Sequence, residues 1–284
     1  MNNNHSTQKN TVSETKQSYE NNPLYVATTG LDLLFKKALS LGILFAILSA
    51  LSAFSGVPSS FIPDNDTQSD QNTASMSPDA TNFMNAISNI TVEMWLFIAV
   101  IILTVVAFAT VVTVALKGIS DVTAAHLARG ESTGVTDALR EVFSNFWGYL
   151  WVILITNVKI FLWTLLLIIP GIIMAIRYSL SGVVYFDKKL KGNESVKESS
   201  RLTKGAWLTT FASQNLLNIL TLGFITPLLA PGTNAVLYRQ YSAVAELKPK
   251  AHWLTLAMTI LLGMIALILL SLLFWASANY LQTT

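Results

Sequence analysis

The chain of 284 residues contains no cysteine, which excludes disulfides, thiolate nucleophiles and cysteine-ligated metals and leaves the redox compartment open. Its three histidines, His5, His126 and His252, are scattered with no HExxH pattern, so no metal centre is implied. There is no G-x-S-x-G and no glycine-rich phosphate loop. Charge is scarce too: charged residues are 12% of the chain, about half the usual share of a soluble domain. A net charge of +2 offers no surface for nucleic acid. No cofactor is implied, and catalysis finds little support.

Hydrophobic length is what the chain has in quantity. Apolar residues make up 52% of it, mean hydropathy is +0.51, and uncharged runs approach the ~20 residues that a membrane-spanning helix needs. The expected fold is all-α, a polytopic transmembrane bundle with amphipathic interfacial helices. Residues 1–22, rich in Asn, Ser, Thr and Gln, read as a disordered tail without a signal peptide. Residues 23–280 read as a single transmembrane domain.

An interfacial helix is expected over Pro23–Lys37. The candidate spans are Ala38–Val57, Trp95–Leu116, Trp147–Ile169, Ile172–Phe186, a fifth from Ala206, a polar sixth to about Leu247, and Trp253–Ala276. Seven is the preferred count and six is possible, because the sixth is so polar. Pro58–Asn82 is a long polar loop with four aspartates and no cation. Lys117–Gly134 reads as a polar stretch, helical through Val122–Arg129. Val135–Phe146 alternates as an amphipathic helix, and Ser195-Val-Lys-Glu198 has the capping-box pattern.

A repeat at an offset of 61 residues links Val135 with Val196, Arg140 with Arg201, Asn157 with Asn218 and Pro170-Gly171 with Pro231-Gly232. The units are about 131–189 and 192–250, each an amphipathic helix followed by a hairpin. Such units are parallel repeats about an axis along the membrane normal. Each Pro-Gly pair is expected to make the hairpin turn, although the second turn could lie nearer Pro227.

With the N-terminus in the cytoplasm, the cytoplasmic segments hold 15 of the 18 cationic residues and the outer segments none, as the positive-inside rule requires. Lys159, Arg177 and Arg239 fall within spans.

The stretch Ile169-Pro-Gly-Ile-Ile-Met-Ala-Ile-Arg-Tyr178, followed by Ser195-Val-Lys-Glu-Ser-Ser-Arg-Leu-Thr-Lys-Gly-Ala-Trp207, resembles a signature of the YciC-like proteins and the related glycerophosphoryl diester phosphodiesterase membrane domain. The resemblance covers about residues 24–247 and implies an integral protein of a bacterial inner membrane. It transfers no catalytic residues.

Two groups of polar residues are candidate sites. Arg177, Tyr178, Tyr238, Arg239, Asn157 and Asn218 could form an anionic-ligand site between the repeats, or could snorkel and bond within the bundle. Lys188, Lys189, Lys191, Lys197, Arg201 and Lys204 could bind anionic lipid headgroups or serve only as the topological anchor. The acidic residues nearest membrane depth, Glu93, Asp187 and Glu246, fall at span edges, so no proton-relay carboxylate is evident. The preferred reading is a non-enzymatic, envelope- or lipid-associated protein of the bacterial cytoplasmic membrane, with membrane lipids as partners. The alternatives are a small transporter or permease component and, third, an intramembrane lipid-modifying enzyme.

The charge split makes a direct prediction. Single cysteines replacing Ser69 and Thr283 should both react with an impermeant thiol reagent added to intact cells. Reaction at Ser69→Cys alone would favour six spans.

Overall fold

The computed structural model describes residues 20–55, 91–244 and 250–283, and the 58–82 loop and all of the expected 1–22 tail but its last three residues lie outside them. Among the described residues every regular element is an α-helix, eleven in all. Helix α1 is Pro23–Lys37. Its N-cap Asn22 accepts the Leu24 N–H, and Pro23 stands at the first position, where no amide hydrogen is needed. Helix α2 is Leu39–Ser55.

Helix α3, Val92–Arg129, has 38 residues and rises about 57 Å, nearly twice the ~30 Å hydrocarbon core. The expected break after Leu116 is absent because Lys117–Arg129 offers no proline and continues in helix. The helix stops at Gly130, whose φ of 78° lets its N–H turn back to the last carbonyls. From Val92 to Val112 almost every α3 side chain is exposed, whereas most from Val114 to Leu127 are buried.

The remaining helices are α4 (Val135–Ser144), α5 (Phe146–Leu166), α6 (Ile168–Arg177), α7 (Ser181–Lys188), α8 (Asn193–Leu202), α9 (Trp207–Leu220), α10 (Thr226–Ala243) and α11 (Trp253–Thr283). The described residues contain four helices long and apolar enough to cross a membrane: Val92–Arg129, Phe146–Leu166, the α6–α7 pair Ile168–Lys188, and Trp253–Ser277. Leu39–Leu51 is apolar but shorter. Four of the seven expected spans therefore meet the length and hydropathy requirement.

Helix α10 is the centre of the bundle, packed by α1, α2, α3 and α9. It is buried on nearly all sides from Leu229 to Tyr241. Helix α1 crosses it backbone to backbone: a Cβ on Gly30 would lie 2.5 Å from the Gly232 carbonyl carbon, and one on Gly232 would overlap the Gly30 carbonyl. Glycine is required at both positions by this approach. Around the crossing, Val26, Leu34, Leu41, Val122, Leu127, Leu180, Val183 and Leu237 form a core with no exposure. Helix α1 is thus not only an interfacial helix; Val26, Ala27, Gly30 and Leu34 are buried.

The first Pro-Gly expectation needs correction, and of the two positions open for the second turn the structure takes the one nearer Pro227. The first hairpin turns at Leu167, an extended residue (φ −159°, ψ 135°) between α5 and α6. Pro170 falls in the first turn of α6, where a missing N–H is tolerated, and Gly171 packs against Thr164. The second hairpin turns through residues 221–225, with Leu222 and Gly223 at positive φ. That is beside Pro227, and Pro231-Gly232 lies inside α10. Helices α5 and α9 begin 61 residues apart, but α5 has 21 residues and α9 has 14, so the offset does not carry across the turns. The capping box is also not formed. The N-cap of α8 is Gly192, the Ser195 hydroxyl donates to the Leu190 carbonyl, and Glu198 pairs with Lys188 and Arg201.

Gly232→Ala should destabilise the protein by roughly 3 kcal/mol, the upper part of the usual overpacking range, because two main chains must separate. Gly263→Ala, with nothing within 4 Å of its added Cβ, should leave thermal unfolding in detergent unchanged. Equal melting temperatures for Gly232→Ala and the parent chain would show that the crossing is not tight.

Candidate functional site: an apolar groove and a charged edge

A groove of about 660 Å³ opens between α3, α5 and the α6–α7 junction. Val106, Ala109, Val114, Leu150, Ile153, Leu154 and Ile160 supply its apolar walls. Thr110, Thr113, Thr156, Asn157, Tyr178, Ser179 and Ser181 add polar groups, and Lys117 stands at one end. The Thr110 and Thr113 hydroxyls each donate 2.8 Å to a carbonyl one turn back. The Thr156 hydroxyl bonds the Val152 carbonyl and lies 3.2 Å from the Ser181 hydroxyl. These groups present acceptors to the groove without leaving a donor unsatisfied.

Behind Lys117 lies Asp121, whose exposure is 0%. Lys117 Nζ reaches both carboxylate oxygens, at 3.0 and 2.9 Å, and the Tyr149 hydroxyl donates to Oδ2 at 2.7 Å. Any side chain larger than hydrogen at Gly182 would overlap the carboxylate. Asp121 was not among the acidic residues singled out from the sequence, and it is the carboxylate that the fold buries completely. In the sequence Asp121 lies four residues beyond Lys117, a spacing that places both on one helix face once α3 is known to continue.

A second group of charges laces the helix ends. His126 on α3 contacts Glu131 at 2.7 Å and Glu141 on α4 at 2.9 Å. Arg129 donates to Glu131 and to Asp187 on α7, both at 2.9 Å, and the Tyr238 hydroxyl of α10 donates to the same Asp187 carboxylate. Lys189 pairs with Glu141 at 2.7 Å. The Arg129 guanidinium holds Glu131 below the usual carboxylate range. Burial pushes Glu141 up, but hydrogen bonds from Lys189 and His126 outweigh it and leave the carboxyl lowered. Among scattered histidines the sequence shows no hint that His126 would meet two carboxylates from different segments.

The six residues expected to form an anionic-ligand site are distributed over four places. Tyr178 and Asn157 line the groove. Tyr238 and Arg239 line a separate cavity of about 350 Å³ with Arg129, Asp187 and Lys188. Asn218 lies on α9, its amide donating to the Gln214 carbonyl at 2.6 Å. Arg177 docks on α8. Its guanidinium donates to the Ser200 carbonyl at 3.2 Å, and its own carbonyl accepts the Ser199 and Thr203 hydroxyls. Arg177 and Arg239 thus face different surroundings, and the contacts described bring neither to the other.

The expected headgroup cluster divides as well. Lys188 and Arg201 both bind Glu198, at 2.6 and 2.7 Å, and Lys189 binds Glu141. Among the described residues Lys191, Lys197 and Lys204 have no carboxylate partner and are exposed.

No family model, no curated protein and no solved structure matches this chain.

The Glu198 clasp carries a pH dependence. Hydrogen bonds from Arg201 hold the carboxyl at about 2 against the opposing effect of burial, and Lys188 adds to the depression. A depressed folded-state value stabilises above the ordinary 4.5 and is lost as pH falls through about 2. Glu198→Gln should therefore lower the melting temperature at pH 7, and the gap to the parent should close as pH falls from 4.5 towards 2. A gap independent of pH would assign the loss to packing.

Proposed function

We propose that the chain is a non-catalytic integral protein of a bacterial cytoplasmic membrane that holds one lipid-like amphiphile in the groove between α3, α5 and the α6–α7 junction. The observation that carries this reading is the shape of that groove. Its walls are apolar, its volume is about 660 Å³, and its charged end at Lys117 adjoins a buried, fully partnered carboxylate. An acyl chain suits the Val106–Ile160 end and an anionic headgroup suits Lys117, in keeping with pockets whose few polar groups orient a mostly apolar ligand. The groove threonines are bonded to helix carbonyls, an arrangement suited to lining a site and not to activating a nucleophile. The charged edge would face the cytoplasm with the N-terminus, as the positive-inside rule favours. The resemblance to the YciC-like proteins points the same way.

A second reading, a small permease component, gains support from Asp121. Ionisable groups within a membrane bundle mark ion or substrate paths in many transporters. Substrate uptake into proteoliposomes that disappears in Asp121→Asn would favour it.

The groove reading is tested by filling the groove. Ala109→Trp should at least halve the lipid retained per protein in native mass spectrometry while leaving helical content and melting temperature unchanged. Full retention of lipid in this variant would remove the groove as the binding site.

A further inference from the structure

Both hairpins end in tips that no aqueous phase would favour. Leu165, Leu166, Leu167, Ile168 and Ile169 are 64–73% exposed, without a polar side chain among them. At the second tip Leu220 and Leu222 are 71% and 82% exposed. From these tips, and from the level at which polar groups hold the hairpin limbs, we infer that α5–α6 and α9–α10 are re-entrant. They enter the hydrocarbon from the α8 side and return to it without reaching the opposite surface, so their tips are contact surfaces for acyl chains.

Helix α8 marks the water level. It carries Glu194, Lys197, Glu198 and Arg201 within ten residues, a density that hydrocarbon does not accept. It is tied to both limbs of the first hairpin. Lys159 on α5 donates to Asn193 at the α8 N-terminus, and Arg177 on α6 donates to Ser200 near its C-terminus. Lys159 precedes the Leu167 tip by eight residues and Arg177 follows it by ten. At 1.5 Å per residue, the tip lies about 12–15 Å beyond α8, roughly half of a ~30 Å hydrocarbon core. Helix α9, with 14 residues, rises about 21 Å and also falls short of that thickness.

A turn placed in hydrocarbon must satisfy its own backbone, since water is absent. The second turn is built this way, and the first is so in part, the helix after Leu167 starting without a side-chain cap. At the first, the Leu167 N–H donates to the Trp163 carbonyl and the Leu167 carbonyl accepts from Gly171, while Pro170 supplies no N–H that would need a partner. At the second, the amides of Thr221, Leu222, Gly223, Phe224, Thr226, Leu228 and Leu229 all donate to carbonyls within residues 217–225. Pro227 again removes a donor, and the Thr226 hydroxyl closes on the Gly223 carbonyl.

The charge distribution is indifferent to the choice. A hairpin returns to its entry side whether or not it crosses, so the positive-inside count that supports two crossing hairpins supports two re-entrant ones equally. The long helices α3 and α11 then have the length to cross outright.

The absence of cysteine makes the test clean. Leu167→Cys and Leu222→Cys, each in the full chain in sealed membrane vesicles of both orientations, should react with an impermeant maleimide no more than the cysteine-free parent. Each should react fully once the vesicles are dissolved in detergent. A bimane fluorophore attached at either position through a membrane-permeant reagent should be quenched at least twofold more by lipids with a nitroxide near the chain end than by lipids with a headgroup nitroxide. Impermeant labelling from the side opposite α8 would show that the hairpin crosses, and labelling from the α8 side would place it outside the hydrocarbon. Stronger headgroup quenching, or no quenching by either lipid, would also overturn the inference.

Discussion

The contact between the main chains of Gly30 and Gly232 sets the terms for the rest of the bundle. Helix α10 is the least apolar of the long helices, with Thr233, Asn234 and Gln240 buried among its neighbours. Such a helix is stable in a membrane protein only when its polar groups meet protein. The glycine crossing brings α1 close enough to cover one side of it, and α9 covers another. Gln214 of α9 donates to Asn234 at 2.8 Å and to Ser179 at 3.1 Å, and Thr210 meets the Tyr241 hydroxyl at 2.9 Å. A methyl group at the crossing would move α1 away and loosen this side of the central helix.

The length of α3 has a related consequence. Its first half exposes apolar side chains and its second half is embedded in the packed body, so one rigid element links a segment long and apolar enough to cross a membrane to the charged edge. Asp121 sits in the embedded half. Removing a carboxylate from water is costly unless its charge is paired and its lone pairs are filled. Lys117, the Tyr149 hydroxyl and the space left by Gly182 meet that condition together, with contributions from three helices. Further along, Arg129 and His126 connect the same helix to α4 and α7, and Tyr238 brings α10 to the shared Asp187.

Much of the secondary structure was legible in the residues themselves. Pro23–Lys37 forms with the expected bounds because its cap, proline and terminal lysines are all local signals. The 253–276 run and the amphipathic Val135 helix follow from hydropathy and from a 3.6-residue period. The misplacements have physical causes. Pro170 and Pro231 look alike in sequence, but one occupies the first turn of a helix and the other the interior of a helix whose adjoining glycine makes room for a second backbone. Lys117–Gly134 reads as a polar stretch helical only through Val122–Arg129 because charges are expensive in lipid, whereas the helix runs unbroken through Lys117–Asp121 into a charged, packed edge. The basic cluster around α8 was visible, but not that half of its cations would pair with Glu198 and Glu141.

Composition and periodicity, which depend only on neighbours in the chain, determined that this protein is helical, where most helices begin and which stretches avoid water. The tertiary structure alone decided that α10 lies at the centre, that Asp121 is buried beside Lys117, and that Arg177 docks on α8 while Arg239 lines a different cavity. These outcomes depend on which helix faces meet, and a meeting such as Gly30 with Gly232 joins residues far apart in sequence whose side chains carry no sign of one another.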